Sequence, residues 1–295
     1  MTEKTIALNN GVKIPALGLG VLQSQGGEAT SAVSTALKSG YRLVDTAAAY
    51  FNEREVGQGI RESGVDRGDI FLTTKLWMTD YGFDSTLRAF DTSIAKLGVD
   101  YLDLYLLHWP WPANFSQTIA AYKAAERLLA EGRVRALGVA NFKPDHLKAL
   151  RAQSDVVPAV NQVELHPNFQ QPALVALHRE LGILTQAWSP IGGVYGWAGE
   201  NGAVPPLQNE TIQVIAEAHG KTPAQVILRW HLQEGRSAIP KSVNPRRIAE
   251  NFDVFDFELT AGDMAAIANL DTGRRGAIDP DNATSEVIDL TIDAA

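Results

Sequence analysis

Apolar residues along this chain fall into two alternating rhythms. Short runs such as "ALGLG" (16–20), "RLVDT" (42–46), "IFLTTK" (70–75) and "LDLYLLH" (102–108) are almost continuously apolar. So are "VRALGVAN" (134–141), "PAVNQVE" (158–164), "GILTQAW" (182–188) and "SAIPK" (237–241). Runs of this kind read as strands covered on both faces, where no polar alternation is needed. Between them, "EATSAVSTALKSG" and "SQTIAAYKAAERLLAEG" carry apolar residues at helical spacing and stop on Gly40 and Gly132, as helices do. Ahead of the alternation, "TIALNNGVKIPAL" places turn residues Asn9, Asn10 and Gly11 between two short apolar segments, which predicts a β-hairpin.

Helix and strand alternating at intervals of roughly 30 residues imply parallel strands joined by right-handed crossovers. The sheet is either open and doubly wound or closed into a barrel, and eight strand units favour closure. No Pro- or Ser-rich linker and no low-complexity tract interrupts the pattern, so residues 1–295 read as one domain. The longest irregular stretch, residues 189–210, follows the seventh strand and has the length of a lid or binding loop. Tyr195 and Trp197 lie within it and are candidates to close over a ligand.

Composition narrows the partners. With 295 residues and 45% hydrophobic content, the chain is long enough to bury roughly three quarters of its unfolded surface. A formal charge of −8 and the lack of a long basic run argue against nucleic acid or an anionic membrane. Cysteine is absent, so disulfides and thiol chemistry are excluded. The first residues have no apolar h-region, and no stretch approaches the length of a membrane span. A soluble, cytoplasmic protein is expected.

In a barrel of this kind chemistry collects at the C-terminal ends of the strands, where the βα loops converge. Asp45 and Tyr50 follow the second strand, Lys75 ends the third, His108 the fourth and Asn141 the fifth. Gln162 is near the end of the sixth, Trp188 closes the seventh, and Lys241 with Ser242 closes the eighth. Loops are polar, so any one of these has an ordinary explanation, but the set is harder to dismiss. Asp45, Tyr50, Lys75 and His108 supply a carboxylate, a phenol, an ammonium and an imidazole, with neither metal-ligand spacing nor a nucleophile elbow, and their shared chemistry is proton delivery. A tyrosine is a poor acid at neutral pH unless a nearby ammonium stabilises its phenolate. Lys75 is the candidate ammonium, Asp45 the carboxylate that keeps it charged, and a neutral His108 would orient a carbonyl oxygen.

Taken in order, the hairpin, "ALGLG", "LVDTAAAYFNE", "LTTKLW", "LYLLHWP", "GVANF", "NQVELHP" and "IPKSVNPRRIAEN" resemble the aldo-keto reductases over essentially the full chain. The resemblance implies a (β/α)8 barrel with long loops at its C-terminal face, and NADPH-dependent reduction of an aldehyde or ketone. It also implies that Asp45, Tyr50, Lys75 and His108 form the catalytic tetrad with Tyr50 as general acid. Asn141 and Gln162 would hold the nicotinamide carboxamide, with Trp188 stacking on the ring. Ser189, Pro190 and Ile191 would begin the loop across the pyrophosphate, and Gly20, Val21 and Leu22 would line the reactive end. Lys241, Ser242, Val243 and Arg247 would surround the 2′-phosphate, and Glu250 and Asn251 the adenine.

The chain departs from the family at Ala140, where many relatives have serine, and at Asn244, where some have a basic residue near the 2′-phosphate. Phe51, Trp77, Trp109 and Trp111 are candidates for an aromatic funnel around the substrate, together with Tyr50 and His108. The short tail after Asp271 implies a more open pocket than longer relatives have. The expected partner is a small carbonyl compound, and the expected state is a monomer.

Three other readings remain in view. "GLGVLQ" imitates the start of a dinucleotide fingerprint, but Gln23 stands where its third glycine belongs. A barrel glycosidase could pair Asp45 with Glu164, at the price of leaving Lys75 and Lys241 without a role. A cofactor-binding regulatory protein would show little turnover. His146, His166, His178, His219 and His231 follow no metal-ligand pattern and read as hydrogen-bonding groups.

Overall fold

The computed structural model describes residues 4–192, 204–283 and 292. Tyr195, Trp197 and the rest of residues 193–203 in the 189–210 loop lie outside the described residues.

The expected hairpin forms from β1 (Thr5–Ala7) and β2 (Lys13–Pro15), paired antiparallel with Ile6 opposite Ile14. Its turn closes through Leu8 N to Val12 O at 2.8 Å, with Gly11 at φ 84. That left-handed backbone suits a residue without a Cβ. Asn9 and Asn10 donate to the carbonyls of Pro158 and Arg135, at 3.1 and 2.9 Å. These two carbonyls precede or begin barrel strands, so the hairpin is tied to the end of the barrel where strands enter.

Eight parallel strands follow: β3 (Leu19–Gly20), β4 (Leu43–Asp45), β5 (Phe71–Leu76), β6 (Leu102–Leu107), β7 (Val134–Ala140), β8 (Val160–Glu164), β9 (Leu184–Trp188) and β10 (Ser237–Ala238). Each pairs with the next in chain order, and β3 meets β10 through parallel bridges Leu17 to Ala238 and Gly20 to Lys241. Those bridges close the sheet, so the open doubly wound alternative and the dinucleotide-fingerprint reading are both overturned. The first and last strands are shorter than the apolar runs suggest. Pro240 lacks an N–H for the ladder, and closure there rests on Gly18 N to Ala238 O at 2.9 Å, Ala238 N to Ala16 O at 2.9 Å and Gly20 N to Pro240 O at 3.0 Å.

The helices pack outside. The predicted first helix is α1 (Gly26–Lys38), which turns Ala29, Ala32, Val33, Ala36 and Leu37 inward, and α2 is Glu53–Ser63. They approach closely because α2 carries Gly59, where a Cβ would stand 2.6 Å from the Thr30 carbonyl. The remainder are α3 (Phe83–Leu97), α4 (Phe115–Ala130, the second predicted helix), α5 (Pro144–Arg151), α6 (Pro172–Leu181), α7 (Glu210–His219), α8 (Pro223–Gln233), α9 (Pro245–Phe252) and α10 (Ala261–Ala268). Tyr41 Oη, buried after α1, donates to Ile248 O of α9 at 3.0 Å, joining the first and last layers of the ring.

Two buried apolar clusters result. The larger fills the space between strands and helices. The smaller unites hairpin residues Leu8 and Ile14 with Leu43, Phe71, Leu104, Leu106, Ala136 and Val160 of the strands. The hairpin thus plugs the entry end of the barrel, and only the opposite end is free to hold a site.

Candidate active site

Asp45 ends β4, and a 3₁₀ turn, Ala48–Tyr50, carries the phenol back over the strand ends. Lys75 stands near the end of β5, fully buried, with its Nζ in an ion pair with Asp45 Oδ1. Nζ also meets Thr46 O at 2.9 Å and Tyr50 Oη at 3.3 Å. A carboxylate and a carbonyl can only accept, so these three contacts match the three protons of an ammonium. Lys75 therefore donates to Tyr50 Oη, and the phenolic proton is not engaged with the lysine.

Burial works against this pair from both sides. Desolvation raises Asp45 from the usual carboxylate range and lowers Lys75 from the usual lysine range, while their mutual attraction opposes both shifts. Gln162 Nε2 helps hold the carboxylate, donating to Asp45 Oδ2 at 2.7 Å and to Gln186 Oε1 at 2.8 Å. Gln186 in turn donates to Ser237 Oγ at 3.0 Å. A polar chain thus runs inside the barrel from β10 through β9 and β8 to the β4–β5 ion pair.

His108 follows β6 with its ring edge-on to Tyr50 and Trp77, at centroid distances of 5.6 and 5.1 Å. Burial, and then the Lys75 charge, push its pKa well below the ordinary histidine value, so the ring stays neutral. Asn141 Nδ2 donates to the His108 carbonyl at 3.0 Å, and Asn141 Oδ1 accepts from the Trp188 indole at 2.9 Å. One side chain from the end of β7 thereby sets the place of both the imidazole and the indole.

A cavity of about 460 Å³ opens between these groups. It brings together Gly20, Val21, Leu22, Asp45, Tyr50, Trp77, His108, Trp109, Asn141, Gln162, Trp188, Ser189, Pro190, Ile191 and Lys241, all of them anticipated from the sequence. Phe51 and Trp111 are not in its wall. Phe51 is 46% exposed, and the Trp111 backbone N–H donates to Thr118 Oγ1 at the start of α4. Ser242, Val243, Arg247, Glu250 and Asn251 also stand outside the wall, on the segment that leads from Lys241 into α9. Within that segment Asn244 caps the helix, its Oδ1 accepting from Arg246 N at 3.0 Å and from Arg247 N at 3.2 Å.

Other expectations need correction. The short tail does not simply leave the cavity open, because Ile278 lines it. Gly276 N and Ala277 N donate to Glu164 at 2.6 and 3.0 Å, and Lys143 pairs with Asp279 at 3.1 Å. The carboxylate imagined as half of a glycosidase pair is therefore holding the tail, and its would-be partner is in an ion pair with Lys75. The histidines read as hydrogen-bonding groups do bond: His146 accepts from Lys143 N, His166 meets Glu164, His178 bridges Asn161 and Thr185, His219 meets Asp263, and His231 meets Pro190 O.

Gln23, Ala49, Gly192, Ile239 and Ile278 line the cavity without having been anticipated. Ile278 carries no chemical signal, and nothing local shows that its segment folds back. The left-handed backbones of Gln23 (φ 59), Asn141 (φ 64) and Ser189 (φ 47) were equally hidden, since none is glycine.

Known proteins share this arrangement. The model of the Aldo/keto reductase family matches residues 16–272. Morphine 6-dehydrogenase of Pseudomonas putida is 58% identical over 278 residues, which cover 93% of this chain and 94% of that protein. The crystal structure of an aldo/keto reductase from Brucella melitensis superposes with a TM-score of 0.84 at 50% identity, covering 90% of this chain and 99% of that one. A single-residue variant of Gox0644, solved in complex with NADPH, gives a TM-score of 0.87 at 46% identity over 96% of this chain and 100% of that one. The closed barrel, the order of motifs along it and these matches agree: the chain belongs to the aldo/keto reductase family.

Proposed function

We propose that the protein reduces an aldehyde or ketone to an alcohol with NADPH. The observation that carries this reading is a buried ammonium, Lys75, held 3.3 Å from the Tyr50 phenol in the wall of a cavity that also contains a neutral imidazole. The reaction adds one hydride and one proton across a C=O bond. NADPH, when bound, supplies the hydride.

The residues present fit such a cofactor. Both N–H bonds of Gln162 are taken inside the barrel, which leaves its Oε1 as the acceptor for a carboxamide N–H. Asn141 keeps one N–H and one lone pair beyond its two bonds. The Trp188 indole is fixed at its nitrogen and borders the cavity with its ring. The buried hydroxyl of Ser189 has no partner among the described residues, as expected of a group that meets a ligand. At the rim, Lys241 is exposed, and the backbone then leads to exposed Arg246 and Arg247. This local cation cluster in a protein of charge −8 suits a 2′-phosphate, with Ser242 and Val243 beside it and Glu250 and Asn251 toward the adenine.

In this mechanism Tyr50 donates its proton to the carbonyl oxygen, and the Lys75 ammonium stabilises the phenolate left behind. Asp45 keeps the ammonium charged in a site from which water is excluded. His108, neutral, donates an N–H to the same oxygen and fixes its direction. Trp77 and Trp109 give the carbonyl compound an apolar wall.

We also read residues 1–295 as one functional unit, acting as a monomer in the cytoplasm on small molecules. The negative charge disfavours nucleic acid, and no helix among the described residues is long and apolar enough to cross a membrane.

A panel of aldehydes and ketones followed at the NADPH absorbance tests the activity. Tyr50→Phe is expected to lower kcat on the order of 10³-fold while NADPH affinity stays near the wild-type value. Turnover retained by that variant would remove Tyr50 as the acid. Tight NADPH binding without turnover of any carbonyl by the wild type would favour the regulatory reading.

A further inference from the structure

We propose that Asn52 is a positioning residue that holds the proton donor, its lysine and the cofactor-facing loop in one fixed arrangement. This inference rests on the reductase reading above. Asn52 occupies the N-cap position of α2, yet its side chain makes no cap bond. At the same position of α7 and α9, Asn209 and Asn244 do cap, accepting from Thr211 N at 3.0 Å and from Arg246 N at 3.0 Å. An asparagine at an N-cap is strongly favoured for that bond. Asn52 forgoes it and turns inward, where it is 0% exposed.

Inside, the side chain joins three segments. Its Oδ1 accepts from Thr46 Oγ1 at 2.7 Å, and its Nδ2 donates to Val21 O and to Ser24 O, both at 2.9 Å. Both N–H bonds are thereby used, so the amide has one orientation with a role for each end. Thr46 is the residue whose carbonyl receives Lys75 Nζ at 2.9 Å. Val21 begins the loop whose Val21, Leu22 and Gln23 line the cavity, and Val21 N also donates to Asp45 O at 3.2 Å.

The third segment is the chain immediately before Asn52. Phe51 is left-handed at φ 55, a conformation that a phenylalanine adopts only where its surroundings impose it. The anchor on its C-terminal side is Asn52. On its N-terminal side, Tyr50 O accepts from Gln25 Nε2 at 2.9 Å, a second tie to the same β3–α1 loop. The 3.3 Å separation between Lys75 and Tyr50 is thus bounded at the lysine end by Thr46 and at the phenol end by the Phe51 bend. Both bounds run through Asn52.

The two arms can be cut separately. Thr46→Val removes the hydroxyl that binds Asn52 while keeping shape and the carbonyl under Lys75. Asn52→Asp keeps an acceptor for Thr46 but replaces the Nδ2 that donates to Val21 O and Ser24 O with a single oxygen that repels both carbonyls. Asn52→Ala cuts both arms. The readouts are kcat against pH at saturating NADPH, and NADPH dissociation measured by quenching of tryptophan fluorescence without a carbonyl substrate.

Thr46→Val is expected to lower kcat on the order of 10–100-fold, with NADPH affinity within about twofold of wild type. The alkaline limb of its kcat profile, where the acid has lost its proton, is expected at higher pH, because the ammonium is less well seated. Asn52→Asp is expected to weaken NADPH by about tenfold or more, with a smaller loss in kcat. Asn52→Ala should show both losses, and if it fails to fold the other two variants carry the test. The inference is overturned if Thr46→Val and Asn52→Asp each keep kcat, the alkaline limb and NADPH affinity within about twofold of wild type, whatever happens to their melting temperatures. A wild-type protein that turns over no carbonyl compound would instead sink the functional reading.

Discussion

The two ends of the barrel solve the same backbone problem differently: the mouth uses glycine at Gly26, Gly82 and Gly192 but other residues as well, whereas the entry end uses glycine. At the entry end, turns into the strands reach left-handed conformations with glycine, as at Gly98 (φ 67), Gly132 (φ 73) and Gly182 (φ 69). At the mouth, every left-handed residue other than glycine among those described is found in a loop leaving a strand: Gln23, Phe51, Asn141, Gln171 and Ser189. Such residues cost on the order of 1–3 kcal/mol each. Burial differs in the same sense. The entry end is sealed by Leu8 and Ile14 over strand residues such as Leu43 and Leu104, while the mouth buries Asp45, Lys75, His108 and Gln162. Left-handed residues other than glycine collect where side chains must face a ligand, and apolar packing dominates where only stability is at stake, although the entry end also buries a carboxylate, Asp103, between Arg67 and Arg135 at 2.8 and 2.7 Å.

Lys75→Met should break this division most severely. Loss of the ammonium is expected to lower kcat on the order of 10²-fold or more. It also leaves the Asp45 carboxylate buried without its cation, at about 3–5 kcal/mol of stability. Burial already raises Asp45, and losing the cation raises it further. The folded state then binds a proton that the unfolded state has released, so stability falls as pH rises and recovers toward acid. Urea unfolding at two pH values reads this directly; a loss independent of pH would contradict it. At the sealed end, Leu104→Ala is expected to cost about 2–5 kcal/mol in urea unfolding while kcat and NADPH affinity remain near wild type. A large change in kcat would show that the two ends are not separable.

A third test concerns His178, which supports the mouth from outside the barrel. Its Nε2 faces Asn161 Nδ2, a donor only, so that nitrogen must accept, and Nδ1–H must donate to Thr185 Oγ1. Asn161 in turn donates to Phe142 O at 2.9 Å, next to the left-handed Asn141. Burial lowers the His178 pKa to about 4. Between that value and the unfolded value near 6.5 the unfolded chain holds the extra proton. Stability from this group is therefore complete above about pH 6.5 and lost on acidification toward 4, on the order of 3 kcal/mol in all. His178→Gln should flatten that part of the stability profile, and an unchanged slope would remove His178 as its source. The smallest effect is expected from Gly132→Ala, where space is open but φ is 73. It should cost about 1–2 kcal/mol with unchanged kinetics; a neutral result would mean that the turn can relax.

The same division governs what the sequence reveals. Strand existence and the residues at strand ends were legible because apolar runs stop abruptly at a charged or aromatic group, as at Lys75, His108 and Trp188, and the hairpin because Asn9, Asn10 and Gly11 mark its turn. The tetrad needed no more than that, since each of its members lies within a few residues of a strand. What stayed hidden depends on long-range geometry. Ile278 is an ordinary aliphatic residue until Glu164 and Lys143 pin its neighbours beside the cavity. Nothing in the sequence around Asn52 sets it apart, and only its buried partners Thr46, Val21 and Ser24 do. The shortness of β3 and β10 goes with ring closure beside Pro240, whose missing N–H a pattern of apolar residues does not register.

The plugged base has a practical consequence for how the molecule can be handled. A surface, bead or second protein tethered ahead of Thr5 would hang from the end that no ligand uses, leaving traffic through the opposite opening unobstructed. Tethering through the segment near Ile278 would crowd that opening, so orientation on a support is decided by a few residues of hairpin.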